Sequence, residues 1–213
     1  MSEQLYIDIY CERLSIGLWA EPLNAITNAA FIIAAFCAFL YAKKNDALNF
    51  QSALLITLLI LIGLGSTAFH TFATRLTMMM DVIPILLYQI AFISMYSLYA
   101  MKLSWLKTLG LFGLFMGSSI LSDQIPAHYM NGSLSYAPAL LFLTGFAFWH
   151  YKNASNEKYI LLIAAGAFAI SLTFRSVDMA LCPIIPMGTH FLWHCLNGTV
   201  LYLTTRGFIR AAS

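Results

Sequence analysis

Long apolar stretches run through almost the whole chain, separated by short polar or Gly/Pro-marked breaks. Crossing a hydrocarbon core of ~30 Å takes roughly 20 apolar residues as helix, and only helices or closed barrels satisfy every backbone group in lipid. The runs here are too continuous for the alternation of barrel strands. They predict seven transmembrane helices, at 23–42, 52–73, 79–100, 104–122, 134–150, 158–173 and 186–206, divided by breaks such as KKNDALNFQ, SDQIPAHYMNGS and YKNASNEK. The expected fold is all-α: one membrane domain over residues 1–213, with an extracytoplasmic leader at 1–22 and no soluble appendage.

Composition agrees. The chain is 61% hydrophobic and 9% charged, with a mean hydropathy of +0.79, against about 25% charged residues in a soluble domain. Basic residues are scattered singly between spans, which excludes a nucleic-acid-binding surface. The leader is acidic (Glu3, Asp8, Glu12, Glu21) and lacks a basic n-region, so the first apolar run is expected to stay as a helix and not to be cleaved as a signal peptide.

Charge distribution sets the expected orientation. Lys43, Lys44, Lys102, Lys107, Lys152, Lys158, Arg206 and Arg210 fall on one side, and Arg13, Arg75 and Arg175 on the other. The positive-inside rule then places the N-terminus outside and the C-terminus in the cytoplasm. Trp19 and Trp193 near outer ends, and Trp105 and Trp149 near inner ends, read as interfacial anchors. Gly110, Gly113 and Gly117 line one side of the fourth span and suggest close helix packing, and Met78 to Met80 read as lipid-facing or core filler.

The stretch GSTAFHTFATRLTMMMD, residues 65–81, breaks the apolar pattern with Ser66, His70 and Asp81. Ser66 and His70 are four apart near the end of the second span and share a helix face. Asp81 opens the third predicted span at a similar depth. In the last span, His190 and His194 are again four apart, in its first outer turns. Each residue alone has a plain structural reading: a packed histidine, a serine bonded to its own helix, an aspartate at a helix N-terminus. Together they are costly groups at one depth in a membrane and imply partners. Three neutral imidazoles suit Zn²⁺ and leave a fourth tetrahedral position for water. Asp81 is then the candidate proton acceptor, and Ser66 a hydrogen-bond donor to an oxyanion or a support for Asp81.

These stretches resemble the alkaline ceramidase family of membrane-embedded amidases. The matching segments are YCER and WAEPLNAITN near the N-terminus, GLGSTAFHTFATRLTMMMDVIP across the second and third spans, RSVDMALC before the last span and HFLWHCLNG within it. The resemblance implies Zn²⁺ on His70, His190 and His194, with Asp81 and Ser66 as catalytic residues. It also implies ceramide or another N-acyl lipid as substrate, with zinc-bound water as nucleophile; no protein partner is implied, and the depth of the five residues together with the charge orientation sets the expected active site toward the extracytoplasmic face. The wider group includes adiponectin-receptor-like and haemolysin III-like proteins, so a receptor-like membrane protein with a structural zinc site is the competing expectation. The N-outside orientation and the EPLNAITN segment favour the ceramidase branch.

Relatives in this family can carry calcium in the leader, and Asp8, Glu12 and Glu21 are the acidic residues that could bind Ca²⁺ here. In DIYCERL, however, Ile9 and Leu14 stand where oxygen ligands are expected, and Ca²⁺ wants six to eight oxygens. The resemblance further suggests that Cys11 and Cys182, both in outer segments, form a disulfide. Cys37 and Cys195 fall inside spans and read as small apolar fillers. Asp178 is expected to pair with Arg175 or Arg13. His128 reads as surface, and His150 lies on the inner side, away from the other histidines.

Overall fold

A computed structural model describes residues 6–212; Glu3 of the acidic leader lies outside them. The described residues contain helices and no strand. After the leader come α1 (Pro22–Thr27) and α2 (Ala29–Lys44), which meet at Asn28 as one bent span. They are followed by α3 (Phe50–Phe72), α4 (Arg75–Met95) with a π-helical turn at Tyr96–Ala100, and α5 (Trp105–Asp123). A 3₁₀ segment at Tyr129–Tyr136 leads into α6 (Ala137–Asn153), and α7 (Ile160–Leu181) and α8 (His190–Ala212) complete the bundle.

Among the described residues, six spans are long and apolar enough to cross a membrane: Pro22–Lys44, Phe50–Phe72, Arg75–Ala100, Trp105–Asp123, Tyr129–Asn153 and Ile160–Leu181. At 23 residues α8 matches α3 in length, but His190, His194, Asn197 and Arg206 make it more polar. Its position explains the difference. It packs against α7 and α2 and touches α1, α3 and α4, so much of its surface meets protein instead of lipid. At the other extreme α5 is the loosest element, and Trp105, Leu106, Leu109, Leu114 and Leu121 are all exposed on it.

Local sequence explains how α3 and α4 start and where they turn. Asn49 and Ser52 cap α3 reciprocally, the Ser52 N–H donating to Asn49 Oδ1 and the Asn49 N–H to Ser52 Oγ, both at 3.0 Å. Thr74 and Thr77 repeat the device at α4. Between them the fully buried Ala73 adopts a left-handed φ of 48°, and its N–H closes α3 onto Phe69 O at 2.8 Å. This tight reversal brings His70 and Asp81 to the same end of the bundle.

Glycine allows α3 and α4 to touch at that end. A Cβ on Gly65 would stand 1.9 Å from Met80 O, beside Ser66 and Asp81. By contrast, a Cβ on Gly110, Gly113 or Gly117 would meet nothing within 4 Å, so the packing role expected for these glycines is wrong. Trp193 is also not an interfacial anchor. It is only 6% exposed and packs on Tyr136, Phe168 and His190, whereas Trp19 and Trp105 are exposed and Trp149 is half-buried. Cys37 and Cys195 are exposed on the outer helix surfaces and do not fill the core.

The end of the bundle opposite His70 is held by Glu157, in the α6–α7 turn. Arg206 donates to its two carboxylate oxygens at 2.7 and 2.9 Å and lies over the Tyr41 ring. His150 is buried at this end too, its Nδ1 2.6 Å from Tyr96 Oη.

The glycine geometry predicts that Gly65→Ala will lower the thermal unfolding midpoint in detergent, because backbone must move. Gly113→Ala should leave it unchanged or raise it slightly, since alanine is the better helix former by up to about 1 kcal/mol. Equal midpoints for the two variants would show that the α3–α4 approach is not constrained as described.

Candidate metal centre

α3 delivers His70 from its last turn, and α8 delivers His190 and His194 from its first, one helical turn apart on one face. All three side chains are buried, and one ring nitrogen from each lies within 4.8 Å of the others. The ring centroids are 4.6 to 5.3 Å apart.

Neighbouring side chains hold two of these rings by one nitrogen. His70 Nδ1 is 2.5 Å from Glu21 Oε2, and His194 Nδ1 is 3.0 Å from Thr27 Oγ1. With Nδ1 donating, Nε2 is left as the lone-pair acceptor in each ring. His70 Nε2 is buried with no hydrogen-bond partner among the described residues. An unsatisfied buried polar atom is expensive, and a cation between the rings removes the cost. Three imidazole donors with carboxylate and hydroxyl supports fit Zn²⁺, whose histidine ligands commonly donate their second N–H in this manner. The third ring, His190, stacks on Tyr10 with centroids 3.7 Å apart.

Glu21 is the hub of these supports. Besides His70 it accepts from Asn24 Nδ2 at 3.1 Å and pairs with the Arg13 guanidinium, which also donates to His70 O at 2.8 Å and to Tyr6 Oη at 3.0 Å. Burial alone would raise the Glu21 carboxyl's pKa, but the bonds from His70 and Asn24 and the charge of Arg13 outweigh it and hold the group below the usual carboxylate range.

The N-terminus of α8 is held by Asp178, not by a residue of its own helix. Asp178 Oδ1 accepts from the N–H of Thr189 at 2.7 Å and of His190 at 2.9 Å, and Oδ2 accepts from Cys11 N–H at 3.0 Å. Gly188, at a φ of 66°, makes room, since a Cβ there would stand 2.3 Å from Asp178 Oδ1. The expected pairing of Asp178 with Arg175 or Arg13 is therefore replaced by backbone capping. Arg175 instead bonds Asn131 O and Ser133 Oγ and lies over the Tyr136 and Trp193 rings.

Ser66 is 3% exposed, Asp81 is half-buried, and the Ser66 hydroxyl interacts with the Asp81 carboxylate. Asp81 does not open its helix as the span boundaries suggested. α4 starts at Arg75, so Asp81 sits in the second turn, facing α3. Cys11 and Cys182 are joined by a disulfide with a Cα–Cα distance of 5.5 Å, which ties the leader to the end of α7.

The carboxylates considered for calcium are not gathered into a comparable cluster among the described residues. Both Glu12 oxygens accept N–H groups at the start of α1, from Leu23 at 2.7 Å and Asn24 at 2.8 Å; Glu21 is engaged as above, and Asp8 is exposed. This set does not fit a cation that requires six to eight oxygens. His128 is exposed, and His150 lies at the far end of the bundle.

Sequence reasoning missed Tyr10, Thr27 and the roles of Glu21 and Asp178. Thr27 lies one turn into the first apolar run and reads as an ordinary intrahelical threonine; its carbonyl bonds to Leu23 and Asn24 are those of one. Only the position of α8 shows that its oxygen also meets His194.

A protein-family model described as Ceramidase matches residues 10–211, nearly the whole chain. No curated protein matches it significantly.

His194→Ala should leave purified protein without stoichiometric metal by elemental analysis. Glu21→Gln should keep the histidines but weaken metal retention against a chelator by about 10- to 100-fold. Unchanged retention in Glu21→Gln would mean that the contact to His70 does not tune the site.

Proposed function

The chain belongs to the ceramidase family, and we propose that it is a membrane-embedded, zinc-dependent amide hydrolase that cleaves ceramide or a related N-acyl lipid into a sphingoid base and a fatty acid. The observation that carries this reading is the three-histidine cluster with a partnerless His70 Nε2, next to the Ser66–Asp81 pair. Zinc bound by His70, His190 and His194 would supply Lewis acidity toward a carbonyl oxygen and toward water near neutral pH.

The chain's own groups handle positioning and protons. Asp81 takes a proton from the attacking water and returns it to the leaving amine, the general acid–base role, worth typically 10²- to 10⁴-fold. Of the two roles expected for Ser66, we assign it the support of Asp81, because its hydroxyl already faces that carboxylate. Glu21 and Thr27 keep His70 and His194 in the ring orientation that turns Nε2 inward. Arg13 neutralises Glu21 in a place where an isolated carboxylate would be costly.

An apolar cavity below the histidines, walled by Phe31, Phe92, Phe142, Phe146, Phe168 and Trp193, gives the hydrocarbon chain a place inside the bundle. We also place the site on the extracytoplasmic face. The basic residues at the ends of α2 and α6 and the last turn of α8 lie at the opposite end, and the disulfide lies at the histidine end.

The test is release of free sphingoid base from ceramide by the purified protein in detergent, read by mass spectrometry, with Asp81→Ala beside wild type. Wild type should turn over, and Asp81→Ala should lose at least about 10²-fold while keeping its metal. A metal-loaded wild type that releases nothing from ceramide or from other N-acyl lipids would overturn the reading, and full activity in Asp81→Ala would overturn the mechanism.

A further inference from the structure

The cavity below the histidines has two carboxamides in its otherwise largely apolar wall, Gln89 on α4 and Asn197 on α8. Asn197 Nδ2 donates to Ser171 Oγ at 2.8 Å and to Trp193 O at 3.0 Å, and no donor among the described residues reaches its Oδ1. Gln89 has no hydrogen bond to a described residue at either end of its amide. Two other polar groups of the wall are paired: Tyr88 Oη bonds Thr204 and Thr205 Oγ1, each at 2.8 Å, and Leu201 O at 3.1 Å, while Tyr136 meets Trp193 and Arg175 through its ring.

A carboxamide without partners in the middle of a membrane bundle costs free energy in proportion to its dehydration, and glutamine has aliphatic substitutes of the same size. Gln89 lies eight residues beyond Asp81, about 12 Å further along the helix toward the bilayer middle. Asn197 lies three residues beyond His194, about 4.5 Å. The free amide of Gln89 therefore sits well below the reacting centre, at the side of the path a lipid chain would follow.

We propose that Gln89 is a specificity-determining residue that hydrogen-bonds an oxygen substituent, a hydroxyl or a keto group, carried partway along the hydrocarbon chain of the substrate. The preferred class of substrate is then an N-acyl lipid with a mid-chain hydroxyl or carbonyl, and unsubstituted chains are the poorer ligands. This rests on the cavity's holding the lipid chain, as the proposed function assumes. Gln89 offers both a donor and an acceptor, which suits either group.

The test is binding, so that it does not depend on turnover. Tritiated unsubstituted fatty acid bound to the full-length, detergent-solubilised protein is displaced by fatty acids of one chain length, either unsubstituted or hydroxylated beside the carboxyl, mid-chain or at the methyl end. The mid-chain hydroxy acid should displace at a concentration roughly five- to tenfold lower than the unsubstituted acid. Gln89→Met, which keeps the side-chain volume, should abolish the difference; Gln89→Leu is the second variant should the first fold poorly. Equal displacement by all acids, a preference that survives in both variants, or no displaceable binding would each overturn the proposal. Preferential binding without ceramide hydrolysis would uphold Gln89 as the recognition residue and count only against the amidase reading.

Discussion

The Glu21 carboxylate bonds His70 Nδ1, Asn24 Nδ2 and the Arg13 guanidinium at once, and the geometry of the histidine cluster follows from it. An imidazole with one nitrogen occupied presents the other as a lone pair in a defined direction. Glu21 stands at the start of α1, so the first bent span must dock against the end of α3, and Thr27, on the same short helix, reaches His194. A buried carboxylate would be untenable alone. Arg13 comes from the leader to neutralise it, which makes the leader part of the site.

The leader is secured by two further contacts near the start of α8. Asp178 accepts the N–H of Cys11 together with those of Thr189 and His190, and the disulfide joins Cys11 to Cys182. Cys11 is therefore tied to the element that sets the position of His190, while its neighbour Tyr10 stacks on that histidine's ring. The bridge spans 171 positions, a long loop whose closure restricts the unfolded chain. Its functional consequence is local: Tyr10 and Arg13 cannot leave the histidines without opening the end of the bundle.

Polarity is distributed by enclosure. α8 carries the metal-ligand candidates His190 and His194 as well as the polar Asn197 and Arg206, and is surrounded by other helices, whereas α5 is built mainly of apolar residues, glycine and serine and faces outward. A polar side chain in a bilayer needs a protein partner or a cavity; the enclosed helix has both. The cavity between α4, α6, α7 and α8 extends this polarity into the membrane interior through Asn197 and Gln89.

Hydropathy alone determined the all-helical class and the approximate spans, because lipid admits few alternatives to a continuous helix. Fourfold spacing put Ser66 with His70 and His190 with His194 on common faces, since that periodicity is a property of the helix itself. Which residues surround the rings was not legible. Glu21, Thr27 and Tyr10 lie far in sequence from the histidines they serve, Asp178 reaches the start of α8 from inside α7, and nothing local distinguishes the four from ordinary capping, leader or helix residues. The glycines show the same division: Gly110, Gly113 and Gly117 form the more regular pattern, yet Gly65 is the one pressed against a neighbouring backbone. Periodicity describes a helix's own surface. Only tertiary structure decides which part of that surface meets another helix, and therefore which polar groups find partners and which are left free to bind something else.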